Sequence, residues 1–320
     1  MNILGIDTSN YTTSLAWLDS VQGTVIQQKQ LLPVPEGAAG LRQSDAVFHH
    51  VRQLPVLFRM LKDKNGESLK PDAIGVSVSP RPQEQSYMPC FLAGIAAARM
   101  LADSHGVPLH ETSHQTGHIM AALFSAGCME WVEPEHKPFL AFHVSGGTTD
   151  CVLCTPDEDS VIRIEPVSGS LDLKAGQAID RIGLMLGLKF PCGPALEQLA
   201  ASSTTEARMR VMLRDGCCSL SGLQNQCQEK VRRGEAPEDI ARYTLNSISA
   251  AIRMMTDAAA EQTGSASVLY AGGVLSDKLI QEQLHRKDLQ TAFAEPAFSC
   301  DNAAGVSVYA ARREGISCRF

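Results

Sequence analysis

Aromatic residues are scarce in this chain, only 5% of 320 positions, so nothing suggests a base-stacking surface. Basic excess is also lacking: 28 Lys and Arg stand against 35 Asp and Glu, a net charge of −7. An acidic chain binds nucleic acid only through a local patch, because its overall field opposes a polyanion. No apolar run approaches the ~20 residues of a membrane helix, and no basic-then-apolar stretch opens the sequence. The ten cysteines are scattered in a chain too large to need staples, which points to a reduced, cytoplasmic protein rather than a disulfide framework. Neither G-x-x-x-x-G-K-[ST] nor G-x-G-x-x-G after a strand is present. What remains is an ordinary soluble composition, 44% apolar and 20% charged, at a length that suggests two domains.

Strand-like segments are expected at Ile3–Asp7, Thr12–Leu18, Ala73–Val78, from Pro108-Leu109, and at Phe139–Val144, Thr149–Leu153 and Val268–Ala271. Helical spacing covers Phe91–His105, Thr112–Ala126, Ala178–Leu186, Ile240–Gln262 and Asn302–Arg312, and Pro191-Cys192-Gly193-Pro194 reads as a loop. A repeat stands out. Ser9-x-x-Thr12-Thr13 recurs 136 residues later as Ser145-x-x-Thr148-Thr149, each time between two apolar strands. Two similar lobes would each present a hydroxyl-rich turn to a ligand.

Val144-Ser145-Gly146-Gly147-Thr148-Thr149 has the makings of a phosphate cradle, with glycines that let amides approach oxygens and uncharged hydroxyl donors. An ordinary hairpin turn explains the same residues. Gly272-Gly273 after the strand Val268–Tyr270 allows a flat ligand close to the backbone, or simply a tight strand–helix turn. His114 and His118 share one helix face at a spacing that suits two ligands of one zinc or iron ion. Asp301, ahead of the last helix, is the candidate third ligand or its N-cap. Gln115 follows the first histidine where a zinc protease carries its glutamate base, which disfavours peptide hydrolysis. Asp7 ends the first strand and either orients a ligand or forms an Asx turn. Cys151-x-x-Cys154, Cys217-Cys218 and His49-His50 read as packing residues.

Gly-Ile-Asp-Thr-Ser at 5–9, His114-x-x-x-His118, Val144-Ser145-Gly146-Gly147, Ala175-Gly176-Gln177-Ala178-Ile179-Asp180, Pro191-Cys192-Gly193-Pro194-Ala195, Ser219-Leu220-Ser221-Gly222-Leu223, Ala271-Gly272-Gly273-Val274 and Asp301-Asn302-Ala303-Ala304 follow one another in this order. In that order they resemble the TsaD/Gcp family, historically called O-sialoglycoprotein endopeptidase, over residues 3 to about 312.

The resemblance implies an α/β fold of the two-lobed actin/Hsp70/sugar-kinase type, with duplicated RNase H-like domains and a nucleotide cleft between them. The lobes would span 1–136 and 137–301, with 302–320 packing back on the first. It implies transfer of a threonylcarbamoyl group from its adenylate to the adenosine beside the tRNA anticodon. It carries a divalent ion, Fe or Zn, onto His114, His118 and Asp301. ATP or an acyl-adenylate would meet His143, Val144, Ser145, Gly146, Gly147, Thr148, Asp180, Gly193, Gly272, Gly273 and Asp277. tRNA and proteins of a tRNA-modification complex are the implied partners, with no membrane involved.

Several positions depart from the family pattern. Asn10 stands for a cysteine, Tyr11 and Thr12 replace two acids, Thr148 replaces histidine, Gln177 replaces glutamate and Asp277 replaces asparagine. Ser79-Pro80-Arg81-Pro82-Gln83 stands in for a glycine-rich loop. The chain therefore reads as a divergent paralogue. Two further readings stand beside the transferase: a non-catalytic nucleotide-binding partner of the same pathway, and the historical metallopeptidase. The basic runs Lys230-Val231-Arg232-Arg233 and Arg312-Arg313 are expected to be solvated faces rather than an RNA footprint.

Overall fold

A computed structural model of the chain describes residues 1–9, 11–34, 41–66, 69–83, 85–299 and 303–316. Asp301 and Asn10 lie outside the described residues. Contacts divide the chain into two compact units: Met1–His136 with Pro156–Arg163 and Ala297–Phe320, and Lys137–Thr155 with Ile164–Pro296.

The first unit runs β1 (Asn2–Asp7), β2 (Thr12–Asp19), β3 (Thr24–Leu31), α1 (Gln43–Asn65), β4 (Ala73–Ser79), α2 (Phe91–His105), β5 (Leu109–Ser113) and α3 (His114–Ser125). The second is built on β6 (Phe139–Val144), β7 (Thr149–Asp157), β8 (Val161–Gly169), α4 (Ala175–Met185), α5 (Gly193–Ala200), α6 (Ser221–Arg232), α7 (Pro237–Thr263), β9 (Ser267–Ala271), α8 (Lys278–Leu284) and β10 (Gln290–Phe293). The last helix, α9 (Ala304–Arg313), returns to the first unit.

The sheets share one topology. Their strand orders are β3-β2-β1-β4-β5 and β10-β9-β6-β7-β8, the same arrangement read from opposite ends. In each, the first two strands pair antiparallel and the first pairs parallel with the fourth. The sequence repeat thus marks a duplicated fold, but not in strict register. Asp7 pairs with Ser14 and encloses 8–13, whereas Val144 pairs with Thr149 and encloses only 145–148. The first turn is two residues longer, and the shift of 136 averages the offsets of its two strands.

Central strands β1, β4 and β6 are buried almost throughout, as expected where both faces of a sheet are covered. Leu4, Ile6, Leu15 and Val76 meet Leu54, Leu57 and Leu61 of α1 in one core. Phe142, Val144 and Cys151 meet Ile179 of α4 and Ile248 and Ile252 of α7 in the other. Burial of a side chain such as Leu or Ile contributes ~1.5–3 kcal/mol. α9 seats on the first sheet through small residues: a Cβ on Gly5 would meet the Ala303 carbonyl at 2.3 Å, and one on Gly75 the Val306 carbonyl at 2.5 Å. Among the described residues no helix is long and apolar enough to cross a membrane.

Two expectations are corrected. Gly193 and Pro194 belong to no loop; they open α5, where proline at the first turn loses no hydrogen bond. The helix expected from Thr112 begins at His114, because Thr112 and Ser113 still pair with β4.

Candidate functional site

In the first unit, β5 runs directly into α3. Ser113 is the N-cap, its hydroxyl accepting from the Thr116 amide at 3.1 Å, so His114 is the first helical residue. His118 stands one turn on. The Nε2 atoms of the two rings lie 2.9 Å apart. Nδ1 of His114 lies 2.7 Å from Oδ2 of Asp7, whose side chain is 2% exposed. A carboxylate only accepts, so Nδ1 of His114 carries a proton, and in the neutral ring Nε2 is then the acceptor that faces His118.

Asp7 is itself fixed. Its Oδ1 accepts from the Ser9 amide at 2.8 Å, the Asx turn expected from the sequence, and from the Ser77 hydroxyl at 2.8 Å. The Ser9 hydroxyl beside it is buried and meets no partner among the described residues. Ser77 had no signal in the sequence; it is one small residue within an apolar strand.

The imidazole pair is held from behind. A Cβ on Gly305 of α9 would meet the Gly117 carbonyl at 1.7 Å and the Ala121 amide at 2.6 Å, so two helix backbones touch between the histidines. The Ala303 amide donates to Ser14 at 2.7 Å, which ties the start of α9 to β2. The metal reading can be tested on this donor set. The two Nε2 atoms face each other at hydrogen-bond distance, 2.9 Å, one ring donating to the other, and replacing that proton with a cation would make both nitrogens ligands, a carboxylate-bound histidine being a strong one. His114 and His118 therefore fit as two ligands. Among the described residues no group of three ligating side chains forms, and the expected third, Asp301, lies outside them. Gln115 carries a carboxamide whose Oε1 is buried and meets no partner among the described residues, so no base stands where a zinc protease needs one.

In the second unit, three backbone segments crowd one end of the sheet. A Cβ on Gly176, at the start of α4, would meet the Gly146 amide at 2.6 Å. One on Gly272, where φ is 104°, would meet the Val144 carbonyl at 2.3 Å. The Thr149 hydroxyl accepts from the Ala175 amide at 2.9 Å, and the Ser145 carbonyl from the Gly176 amide at 3.2 Å. The Ser145 amide closes the turn onto the Thr148 carbonyl at 2.8 Å. Gly146 and Gly147 are left exposed, with open space where a Cβ would stand and amides that donate to nothing among the described residues. Gly193 and Gly273 also face open space. Oδ1 of Asp180 accepts from the Cys192 amide at 2.8 Å, which joins Asp180 to Gly193 as one feature.

The remaining candidates sit as follows. Val144 is fully buried with its side chain in the core, so only its backbone reaches the turn. His143 alternates to the other face, between Asp150 and Ala271. Thr148 is half-buried in the turn. Asp277 caps α8, accepting from the Ile280 amide at 3.1 Å. Burial pushes its carboxyl up to about 6, with nearby Glu197 adding to the rise. Gln177 turns back on the Lys174 amide at 3.4 Å. Cys151 and Cys154 are both buried and unreactive, burial driving their thiols far upward. His50 packs against Thr13 at 2.8 Å.

A family profile described as TsaD, tRNA N6-adenosine threonylcarbamoyltransferase, matches residues 25–308. The chain belongs to the TsaD family. A tRNA N6-adenosine threonylcarbamoyltransferase of Sulfurihydrogenibium sp. is 31% identical over 99% of this chain and 93% of its own length. Its counterpart in Aromatoleum aromaticum is 31% identical over 100% and 93%. Among solved structures, full-length HypF in a phosphate- and nucleotide-bound form superposes with a TM-score of 0.59 at 12% identity. That match covers 98% of this chain, which spans about half the length of HypF (46%). A glucokinase of the ROK family from Streptomyces griseus gives a TM-score of 0.50 at 11% identity, over 98% of this chain and 100% of its own. The TsaD chain here thus has the actin/sugar-kinase-like fold, and its family is one of transferases.

Proposed function

We propose that this chain transfers a threonylcarbamoyl-type group from an acyl-adenylate to an adenosine of tRNA, with one divalent ion, Fe or Zn, in its first unit. Family membership supports the reaction class. The buried Asp7–His114–His118 chain is the single observation that carries the metal. His114 and His118 would hold the ion, with Asp301 as third ligand, and the buried Ser9 hydroxyl stands ready for a ligand beside them. Bound there, the ion supplies a Lewis acid toward phosphate or carbamoyl oxygens.

The second unit contributes binding. In this transfer an adenosine amine nitrogen bonds to the carbamoyl carbon and gives up a proton to solvent, the bond from that carbon to the adenylate oxygen breaks, and negative charge gathers on the departing phosphate of AMP. The Gly146 and Gly147 amides are neutral donors fixed by the packing of Gly176 and Gly272, so they need no rearrangement to meet that charge. Asp180, held against Cys192, and Gly193 supply a polar edge for ribose. Gly272 and Gly273 give a flat floor for a base. Proteins of the modification complex and a cytoplasmic setting belong to the same reading.

A second reading keeps nucleotide binding without turnover. Asp277 favours it: the family's asparagine has become an acid whose hydrogen bond goes to its own helix. Metal analysis of the purified protein, followed by transfer of labelled threonylcarbamoyl to tRNA, decides between them. Near-stoichiometric metal, lost with transfer in His114→Ala, is expected. ATP binding with no transfer would select the partner module, and full transfer by metal-free protein would overturn the ion.

A further inference from the structure

The basic runs that are conspicuous in the sequence are engaged within the fold. Lys230 meets Glu235 at 2.7 Å, Arg233 and Arg232 meet Glu229 at 3.0 and 3.9 Å, and Arg312 meets Glu133 at 2.9 Å. Arg313 reaches the Asp159 carbonyl. Three arginines that form no run behave differently. Arg208, Arg210 and Arg214 lie in the irregular segment 203–216, are exposed, and pair with no carboxylate among the described residues.

That segment is extended and pinned. Nδ2 of Asn246, on α7, donates to the carbonyls of Thr205 at 2.9 Å and Ala207 at 3.2 Å. The neighbouring Ser247 hydroxyl accepts from the Met209 amide at 2.8 Å. Met209 is buried and Val211 and Leu213 pack on the same core, so the even-numbered side chains face solvent. At the far end Arg214 and Cys217 exchange two backbone hydrogen bonds at 2.9 Å, around Asp215 and Gly216, whose φ values of 51° and 75° are left-handed. Met212 stands 74% exposed between the arginines. Glu206 and Asp215 are the acids of the segment, one toward each end.

We infer that this ridge holds the phosphate backbone of an RNA strand. Residues two apart on an extended chain project ~6.6 Å apart on one face, close to the separation of successive phosphates along a strand. The guanidinium fork matches phosphate oxygens, and a pinned backbone leaves less to be ordered on binding. Met212 offers an apolar contact beside the line of charge. In a chain of net charge −7, such a local line is what a polyanion requires. The inference rests on the tRNA reading above and adds the surface that carries it.

The test is tRNA binding by the full chain, measured by fluorescence anisotropy with an unmodified tRNA transcript from 50 to 200 mM salt. Wild type is compared with Arg208→Gln/Arg210→Gln/Arg214→Gln and with Lys230→Gln/Arg232→Gln/Arg233→Gln, which removes the same charge from paired positions. The ridge variant should bind about tenfold or more weakly at low salt, and its log–log salt slope should be shallower by about 2–3. Thermal midpoint should be unchanged, and the paired-run variant should keep the wild-type slope. Equal slopes for wild type and ridge variant overturn the ridge and leave the tRNA reading standing. Equal losses in both variants overturn it as well, because total charge alone then governs binding. Wild-type protein without salt-dependent tRNA binding removes the tRNA reading, and the ridge falls with it.

Discussion

The turns that follow β1 and β6 occupy the same place in two copies of one topology, yet the groups they present are opposite in kind. The first is the longer and gathers a buried carboxylate, two serines and an imidazole pair. The second is short, and it presents exposed glycine amides backed by hydroxyls. Strand order fixes where each turn emerges; it does not fix what the turn binds. The chemistry comes from the helix start placed behind it. α3 begins with His114 and brings electron pairs, whereas α4 begins with Ala175-Gly176 and brings amides close to the turn. On the proposed function, a duplicated scaffold would serve a cation in one copy and an anion in the other.

The contrast can be broken most severely at the glycines. Gly305→Val forces a side chain into the α3 backbone and should cost about 3 kcal/mol or more in urea unfolding, with loss of metal binding. A near-neutral result would show that α9 does not seat the histidine helix. Asp7→Asn should weaken zinc binding about 10–100-fold in a chelator competition, by releasing the His114 ring. In metal-free buffer its ATP affinity should match wild type; a fall would mean the two turns are not separable. Gly147→Val should leave the thermal midpoint nearly unchanged, since open space surrounds that position, and should weaken ATP about tenfold by calorimetry with metal binding intact.

The smallest effect is expected at Asp277. Its carboxyl sits at about 6 in the folded chain, above its ordinary value. The protonated form is the one the fold favours, so this contribution is full below the ordinary carboxyl range and is lost as pH rises through about 6. Asp277→Asn keeps a capping side chain and removes the titration. Its thermal midpoint should equal wild type near pH 4, rise above it by a few degrees by pH 7, and stay level beyond. A constant offset at every pH would show that Asp277 keeps no raised carboxyl.

Much of this was legible in the sequence, for local reasons. α2 runs from Phe91 to His105 and stops at Gly106, a glycine in the left-handed region, and β6 shows a clean apolar run. α1 was missed although Ala46, His50, Leu54, Leu57 and Leu61 keep a helical period. Phe48, Val51, Val56 and Met60 fill the exposed side of the same helix, Pro55 interrupts it, and no side chain caps its start. β3 is half polar because it is an edge strand. His114 and His118 were visible as a pair because helix geometry is local. Their dependence on Asp7, more than a hundred residues away in sequence, was not, nor was the alternation that turns three scattered arginines into one ridge.

The seating of α9 on β1, β4 and α3 has a consequence for the order of synthesis. The strands of the first unit and α3 leave the ribosome before any of the second sheet, but the helix that locks them comes last. At usual elongation rates roughly 10–40 s separate Ser125 from Ala304. During that interval Gly5, Gly75 and Gly117 face no partner helix, while the strands and helices of the second unit are made in turn, the last ending at Phe293. A nascent chain would therefore complete its glycine-turn half first, and the histidine pair would gain its backing only as the final helix arrives.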